Sequence, residues 1–565
     1  MTSAAPPPPR HPESPSTRSV LLVFAGLMVA MLLSSLDQTI FSTALPTIVG
    51  ELNGVDHMLW VTTAYILAST VVMPVYGKLG DLVGRKWLFV TAISIFLVGS
   101  VMGGLSDSMG TLIAGRAVQG LGGGGLMILA LAIIADVVPA RQRGRYSGVM
   151  GAVFAVSSVA GPLLGGFFTD GPGWRWAFWM NIPLGILAIA SAVFFLKPPI
   201  RTVAKPRIDY PGMIVLALAA TSLVLFTTWG GTTYDWDSLL IIGLIVATVV
   251  LAVLFVVIER RAAEPVVPLA LFRSRNFNLT TASGLIIGVA MFGVLAYMPT
   301  YLQMVTGVGA ADAGLLMIPM MGTLLIASIG SGQFVSHTGR YKALPIIGTL
   351  ITALGLFLLS TLTASTAIWI MCAYLAVMGL GLGLSMQILT LVVQNSFPQA
   401  MVGTATSSNN FFRQVGSSLG SAIVGSLFVA RLADILASDL PAGSTGGTGT
   451  NSLTPAFVNA LPEAARSIIV NAYNDALTPI LLLMVPLVLV ATVLLIFVVE
   501  VPLATTIEPT EGAQSLSMEL LDESLATGAN PTVDAVLSVR TGSIRLPDQA
   551  TDSATDTGTA EPGER

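Results

Sequence analysis

Long apolar runs with almost no interior charge recur along this chain from Val20 to Val499, separated by short segments rich in Lys, Arg, Gly and Pro. A helix needs about 20 apolar residues to cross a hydrocarbon core about 30 Å thick. Such runs fall near 20–44, 58–77, 87–106, 110–136, 146–168, 176–196, 211–229, 238–258, 276–302, 313–335, 343–362, 367–394, 402–430 and 477–499, fourteen in all. The pattern predicts an all-α membrane protein, because a helix satisfies its own backbone polar groups where water is absent. Composition agrees: 54% of the 565 residues are apolar and 10% charged, with a mean hydropathy of +0.82, outside the range of a soluble enzyme.

Charge fixes an expected orientation. With the amino terminus taken as cytoplasmic, 21 of the 26 Lys and Arg residues fall on inner segments, 3 fall outside and 2, Arg116 and Arg413, fall within spans. This is the bias expected of inner loops, and it needs an even number of spans with both termini cytoplasmic. The net charge of −4 comes mostly from the tail after Val501. The single cysteine, Cys372, rules out an intramolecular disulfide. Residues 1–19, rich in Pro and Ser, read as a disordered cytoplasmic leader to a retained first helix. Residues 432–475, with the run AGSTGGTGT, read as an external loop, and 501–565 as a disordered acidic cytoplasmic tail.

The halves resemble each other. AVQGLGGGGLM from Ala117 recurs as AVMGLGLGLSM from Ala376, and GKLGDLVGRK from Gly77 is echoed by GQFVSHTGRY from Gly332, at offsets of 259 and 255 residues. Two registered matches divide the chain into a six-helix bundle over 20–200, an inserted helix pair with its linker over 201–275, and a second six-helix bundle over 276–500. Parallel repeats of this kind build rocking transporters with the cargo site between the bundles.

Several polar residues stand where apolar ones would be cheaper. Asp37 lies in LDQTIFSTALP of the first span, and Arg116 lies in LIAGRAVQGLGGGG of the fourth, three residues before Gln119. A charge inside a membrane helix is costly, so both should face the bundle interior, with Arg116 bonding backbone carbonyls or Gln119 and biasing Asp37's affinity for a proton. Gly77, Gly80 and Gly84 permit a tight turn and close helix approach, while Asp81 can accept from a neighbouring helix end or pair with Arg85, beside Lys86. In the fifth span, GVMGAVFAVSSVAGPLLGG, Pro162 removes a backbone donor, and Gly161, Gly165 and Gly166 are expected to pack on the other half; Gly148 opens the motif. Asn409, Asn410, Arg413 and Gln414 gather on one face of the thirteenth span, toward a passage or the bundle interface. WRWAFWMNIP, from Trp174 to Pro183, reads as an aromatic belt at the outer interface.

The 77–86 segment resembles the signature loop of the major facilitator superfamily, and Asp37, Arg116 and the fifth-span glycines resemble motifs of its fourteen-helix drug:proton antiporter branch. The resemblance covers about residues 20–500. It implies a major facilitator fold, a cytoplasmic latch at Gly77, Gly80, Asp81, Gly84, Arg85 and Lys86, and proton coupling through Asp37, Arg116 and Gln119. It also implies an antiporter motif at Gly148, Gly161, Pro162, Gly165 and Gly166, with Ser157 where a middle glycine is usual. The function implied is proton-coupled export of small drug-like compounds across the cytoplasmic membrane, the alternative being export of an endogenous metabolite, lipid or siderophore. A lone membrane-buried acid fits monovalent lipophilic cations or neutral compounds better than divalent cations. No cofactor or metal is expected. His11, His57 and His337 are scattered, and no nucleophile elbow or phosphate loop is present. The expected partners are a small-molecule substrate, protons and membrane lipids, without nucleic acid, for a monomer.

Overall fold

The computed structural model describes residues 17–52, 57–196, 207–231, 233–439, 458 and 461–504. Residues 1–16 of the expected leader, the centre of the expected external loop and the tail from 505 lie outside the described residues. Among the described residues there is no strand, and fourteen helices are long and apolar enough to cross a membrane. They are α1 (Thr17–Glu51), α2 (Met58–Val83), α3 (Arg85–Gly104), α4 (Met109–Val137), α5 (Ala140–Asp170), α6 (Asn181–Phe195, entered by a helical turn at Trp176–Trp179), α7 (Tyr210–Trp229), α8 (Leu239–Glu259), α9 (Arg275–Thr306), α10 (Ile318–Thr338, entered by a turn at Ala310–Leu316), α11 (Ala343–Ser360), α12 (Ile368–Asn395), α13 (Val402–Asp439) and α14 (Glu463–Ile496).

The number of spans matches the hydropathy pattern, but the segment read as an external loop, 432–475, is shorter than expected. Helix α13 runs on to Asp439 and α14 starts at Glu463. A helix keeps its hydrogen bonds after leaving the apolar core, so hydropathy marks the membrane boundary and misses the helix end.

Helix starts follow local chemistry. Ser108 caps α4 in a reciprocal box with Thr111. Ser238 and Ser274 accept from the third residue of α8 and α9, and Asp209 caps α7 ahead of Pro211.

The repeated glycine motif does the same work in both halves. A Cβ on Gly120 or Gly124 of α4 would lie 2.4 Å from Tyr65 O or 2.3 Å from Ser69 O of α2, and one on Gly122 would lie 2.5 Å from Ala92 O of α3. In the second half, Gly379 and Gly383 of α12 would meet Met320 O at 2.0 Å and Leu324 O at 2.4 Å in α10, and Gly381 would meet Gly348 O of α11 at 2.6 Å. Backbones at that spacing exclude any side chain, and lipid supplies no hydrophobic drive to substitute for such packing.

The seam between the halves is likewise paired. Gly77 near the end of α2 faces Gly403 O (2.7 Å to a built Cβ) at the start of α13, and Gly332 near the end of α10 faces Gly144 O (2.0 Å) at the start of α5. Helices α7 and α8 stand outside this pair of six-helix bundles. Helix α7 packs on α2 and α13, whereas α8 has only 6% of its most apolar stretch buried and rests mainly on α7. Its mean hydropathy of 3.3, the highest of the fourteen, suits a helix that meets lipid almost all round.

Candidate functional site

Asp37 of α1 is fully buried, and two other helices, α4 and α6, supply its partners. Arg116 of α4 forms an ion pair with Asp37 Oδ2. Gln119 Nε2 donates to Asp37 Oδ1 at 3.0 Å and Asn181 Nδ2 of α6 donates to the same oxygen at 3.1 Å. Both amides also reach Ser100 Oγ of α3, at 2.8 and 3.1 Å. Arg116 donates further to Gln119 Oε1 at 2.8 Å, and its guanidinium lies over the rings of Phe41 (4.2 Å) and Tyr65 (4.4 Å). Tyr65 shares a hydrogen bond of 3.0 Å with Ser34, and the exposed Gln38 donates to the Tyr65 hydroxyl at 3.5 Å. Every member belongs to the amino-terminal bundle. A buried charge pair is tolerable only when its remaining lone pairs and protons are satisfied, and this cluster satisfies them.

Asp37, Arg116 and Gln119 are thus brought together as their pattern suggested. Asn181 and Ser100 were not singled out from the sequence. Their signal was faint: an Asn opening the sixth apolar span, inside a segment read as an aromatic belt. Trp176 of that segment is exposed, whereas Trp174 is 2% exposed and donates Nε1 to Glu51 Oε2 at 2.8 Å, a packing role and not a belt one. Arg175 pairs with Glu51 Oε1 at 2.7 Å and donates to Ser106 O at 3.0 Å. The segment is a clip holding the end of α1, and the hydrogen bond from Arg175 leads the contacts that hold the Glu51 carboxyl below its usual range.

The 77–86 segment sits at the seam. Helix α2 continues through Gly77, Gly80 and Asp81 to Val83, so of the three glycines only Gly84, with φ 101°, makes the turn. Gly77 and Gly80 serve close packing, on Ser407 and Leu129. Asp81 caps α13 across the seam: Oδ1 accepts from Gly403 N (3.2 Å), and Oδ2 accepts from Thr404 N (2.7 Å) and Thr404 Oγ1 (2.8 Å). A carboxylate at a helix N-terminus meets orphan N–H groups and the positive end of the dipole. Arg85 bridges Asp81 and Asp136, both at 2.6 Å, and reaches Gln399 O at 3.3 Å. Gln399 returns bonds to Ala135 O and Asp136, and Arg143 donates to Gln399 Oε1. Lys86 turns away, donating to Val193 O within its own bundle. The hydrogen bonds found between the halves among the described residues lie at this end, including those from Arg141 to Ser336 O and His337 O.

The fifth-span glycines pack otherwise than expected. Gly161 faces Thr39 and Gly165 faces Ile40 and Thr43, all on α1 of the same half, while Gly166 meets nothing within 4 Å. It is Gly144, Gly148 and Gly151, earlier in α5, that approach α10 of the other half. Both sets lie on one chain, but α5 crosses α10 only near its start and leans on α1 beyond it. Pro162 lies within α5, and its carbonyl accepts from Thr43. Of the thirteenth-span set, Asn409 donates to Thr281 Oγ1 of α9 at 3.1 Å, Asn410 donates to Thr406 O, Arg413 donates to Asn410 Oδ1, and Gln414 is partly buried.

Two repeated bundles of membrane helices, with a sealed ion pair inside one and a hydrogen-bonded seam between them, define a secondary-transporter architecture. The chain belongs to the Major Facilitator Superfamily, whose model matches residues 27–421. It is 43% identical over 490 residues to an MFS-type transporter of Mycobacterium tuberculosis (87% of this chain, 71% of that one). It is 37% identical over 455 residues to the multidrug transporter protein MdtP of Bacillus subtilis (80% and 81%), and 34% identical over 510 residues to multidrug resistance protein 3 of the same organism (88% and 98%). Among solved structures it resembles the proton:xylose symporter XylE (TM-score 0.56, 15% identity, 86% of this chain and 97% of that one) and a bacterial homologue of the lysosomal transporter Spinster (0.53, 16%, 86% and 97%). The protein is therefore a multi-pass membrane transporter, in a family whose members are not in general enzymes.

Proposed function

We propose that the protein is a proton-coupled antiporter that exports small lipophilic, drug-like compounds across the cytoplasmic membrane, as a monomer with both termini cytoplasmic. The multidrug names of relatives at 34–37% identity, with the efflux-pump name of a Dothistroma septosporum relative at 32%, support the direction of transport, and the excess of Lys and Arg on the segments at the 77–86 end supports the orientation. The observation that carries the reading is the closed cluster around Asp37. A proton taken up from the outer side onto the Asp37 carboxylate removes the negative partner of Arg116, leaving a buried guanidinium held by Gln119, Val61 O and two rings. An unpaired buried charge is destabilising by roughly 3–5 kcal/mol, enough to favour a different packing of the amino-terminal bundle and hence the inward-open state. Return of the proton to the cytoplasm restores the pair. Asp81, Arg85, Asp136 and Gln399 are the latch that this rearrangement must release.

The test is export from everted vesicles carrying Asp37→Asn. Proton-driven transport should vanish while membrane insertion is kept, because the amide cannot cycle between charged and neutral forms. Full gradient-driven export by this variant would remove Asp37 from the mechanism.

A further inference from the structure

Charges deep in the spans are few, and their surroundings differ. Asp37 and Arg116 are 0% and 1% exposed and satisfy one another, so neither offers a free charge to a compound in the passage. Arg413 is the contrast. Counted at about 1.5 Å per residue from Val402, it lies about 16 Å up α13 from the latch, near the midplane of a core about 30 Å thick. Asp475, counted likewise from Ile496, lies about 31 Å up α14, at the far edge of that core. Arg413 is partly exposed, and its guanidinium donates to the neutral Asn410. Among the described residues it makes no ion pair.

Its direction follows from its neighbours on α13. Gly403 and Ser407 face α2, whereas Gly416 and Gly420 face Leu285 and Val289 of α9. Phe411 and Phe412 join the apolar cluster with Leu216 of α7 and Leu271. At about 100° per residue, Asn410 and Arg413 fall in the remaining sector, between the α2 and α9 faces, on the side where α13 approaches α4. That sector looks into the crevice between the halves, where transporters of this architecture hold their cargo at the midplane. A charge left without a counter-ion at that depth is costly unless a ligand supplies one.

We infer that the exported compound carries an acidic group, a carboxylate or comparable anion, that docks on Arg413, the remainder being lipophilic. This names the cargo class of the site proposed above and rests on that reading of the crevice. It also departs from the cation expected from a lone acid in the first span, because that acid is already occupied by Arg116, Gln119 and Asn181.

The experiment compares binding of matched acid and primary-amide forms of dansyl-undecanoic, pyrene-butyric and indole-acetic scaffolds to the purified full-length protein, by fluorescence and without a proton gradient. Wild type should bind the acid of at least one pair roughly tenfold more tightly than its amide, as a charge-assisted hydrogen bond implies. Arg413→Gln should erase that preference with amide affinity unchanged, and Arg413→Lys should keep part of it. Equal affinity for acid and amide in all three pairs, or a preference that survives Arg413→Gln, overturns the inference; the wild-type comparison decides even if a variant fails to insert. Acid-selective binding without gradient-driven export in proteoliposomes would uphold the inference and instead overturn proton coupling.

Discussion

Replacing Asp81 by Asn tests the latch with little change in volume. Asp81 is 8% exposed, and its carboxylate accepts from Gly403 N, Thr404 N, Thr404 Oγ1 and Arg85. An Asn keeps one oxygen acceptor and sets an NH2 group against donors on the other side. At least two charge-assisted bonds are lost, each worth roughly 1.5–3 kcal/mol, while Arg85 retains Asp136 and the carbonyl of Ala132. Taking the lower figure for both bonds gives about 3 kcal/mol against the closed seam, a rise of roughly 150-fold in the ratio of open to closed forms at this end. Spin labels at Val83, 65% exposed at the end of α2, and at the exposed Arg340 beyond α10 would report it once Cys372 is replaced by Ser. Asp81→Asn should add a population at longer distance. A distance distribution identical to wild type, with normal transport, would refute the idea that Asp81 holds the halves together.

Two further outcomes follow from geometry elsewhere. Gly161→Ala should destabilise the protein in detergent by roughly 1–3 kcal/mol, because its Cβ would lie 2.0 Å from Thr39 Oγ1, whereas Gly166→Ala should be neutral; thermal unfolding followed by size exclusion separates them, and equal effects would refute the α1–α5 packing. Glu51→Gln should cost less than about 1 kcal/mol of stability at neutral pH, because the pair is exposed to solvent, and so lower the melting temperature only slightly. Since folding depresses this carboxyl, its stabilisation exists above the usual carboxylate pKa and is lost as pH falls through the lower folded value, so wild type and variant should converge in acid; a difference that persists or grows in acid would contradict the Arg175 clip.

The sequence by itself determined how many helices cross the membrane, that the chain is built from two similar halves, and which intramembrane residues are too costly to be incidental. Hydropathy and charge act over single helices, and the glycine motif repeats with the same spacing it needs against its neighbours, so these properties can be read along one dimension. Only the tertiary structure decided the pairings. That Asp37 meets Asn181 from a segment with an aromatic-belt signature, that Arg85 also takes Asp136, that Asp81 caps a helix over three hundred residues away, and that Gly161 leans on α1 while Gly148 meets α10 all depend on which helix faces stand opposite one another. In a bilayer every helix is apolar on most faces, so hydropathy does not choose among partners; close backbone approach and the few polar side chains choose them, and those choices exist only once the bundle is assembled.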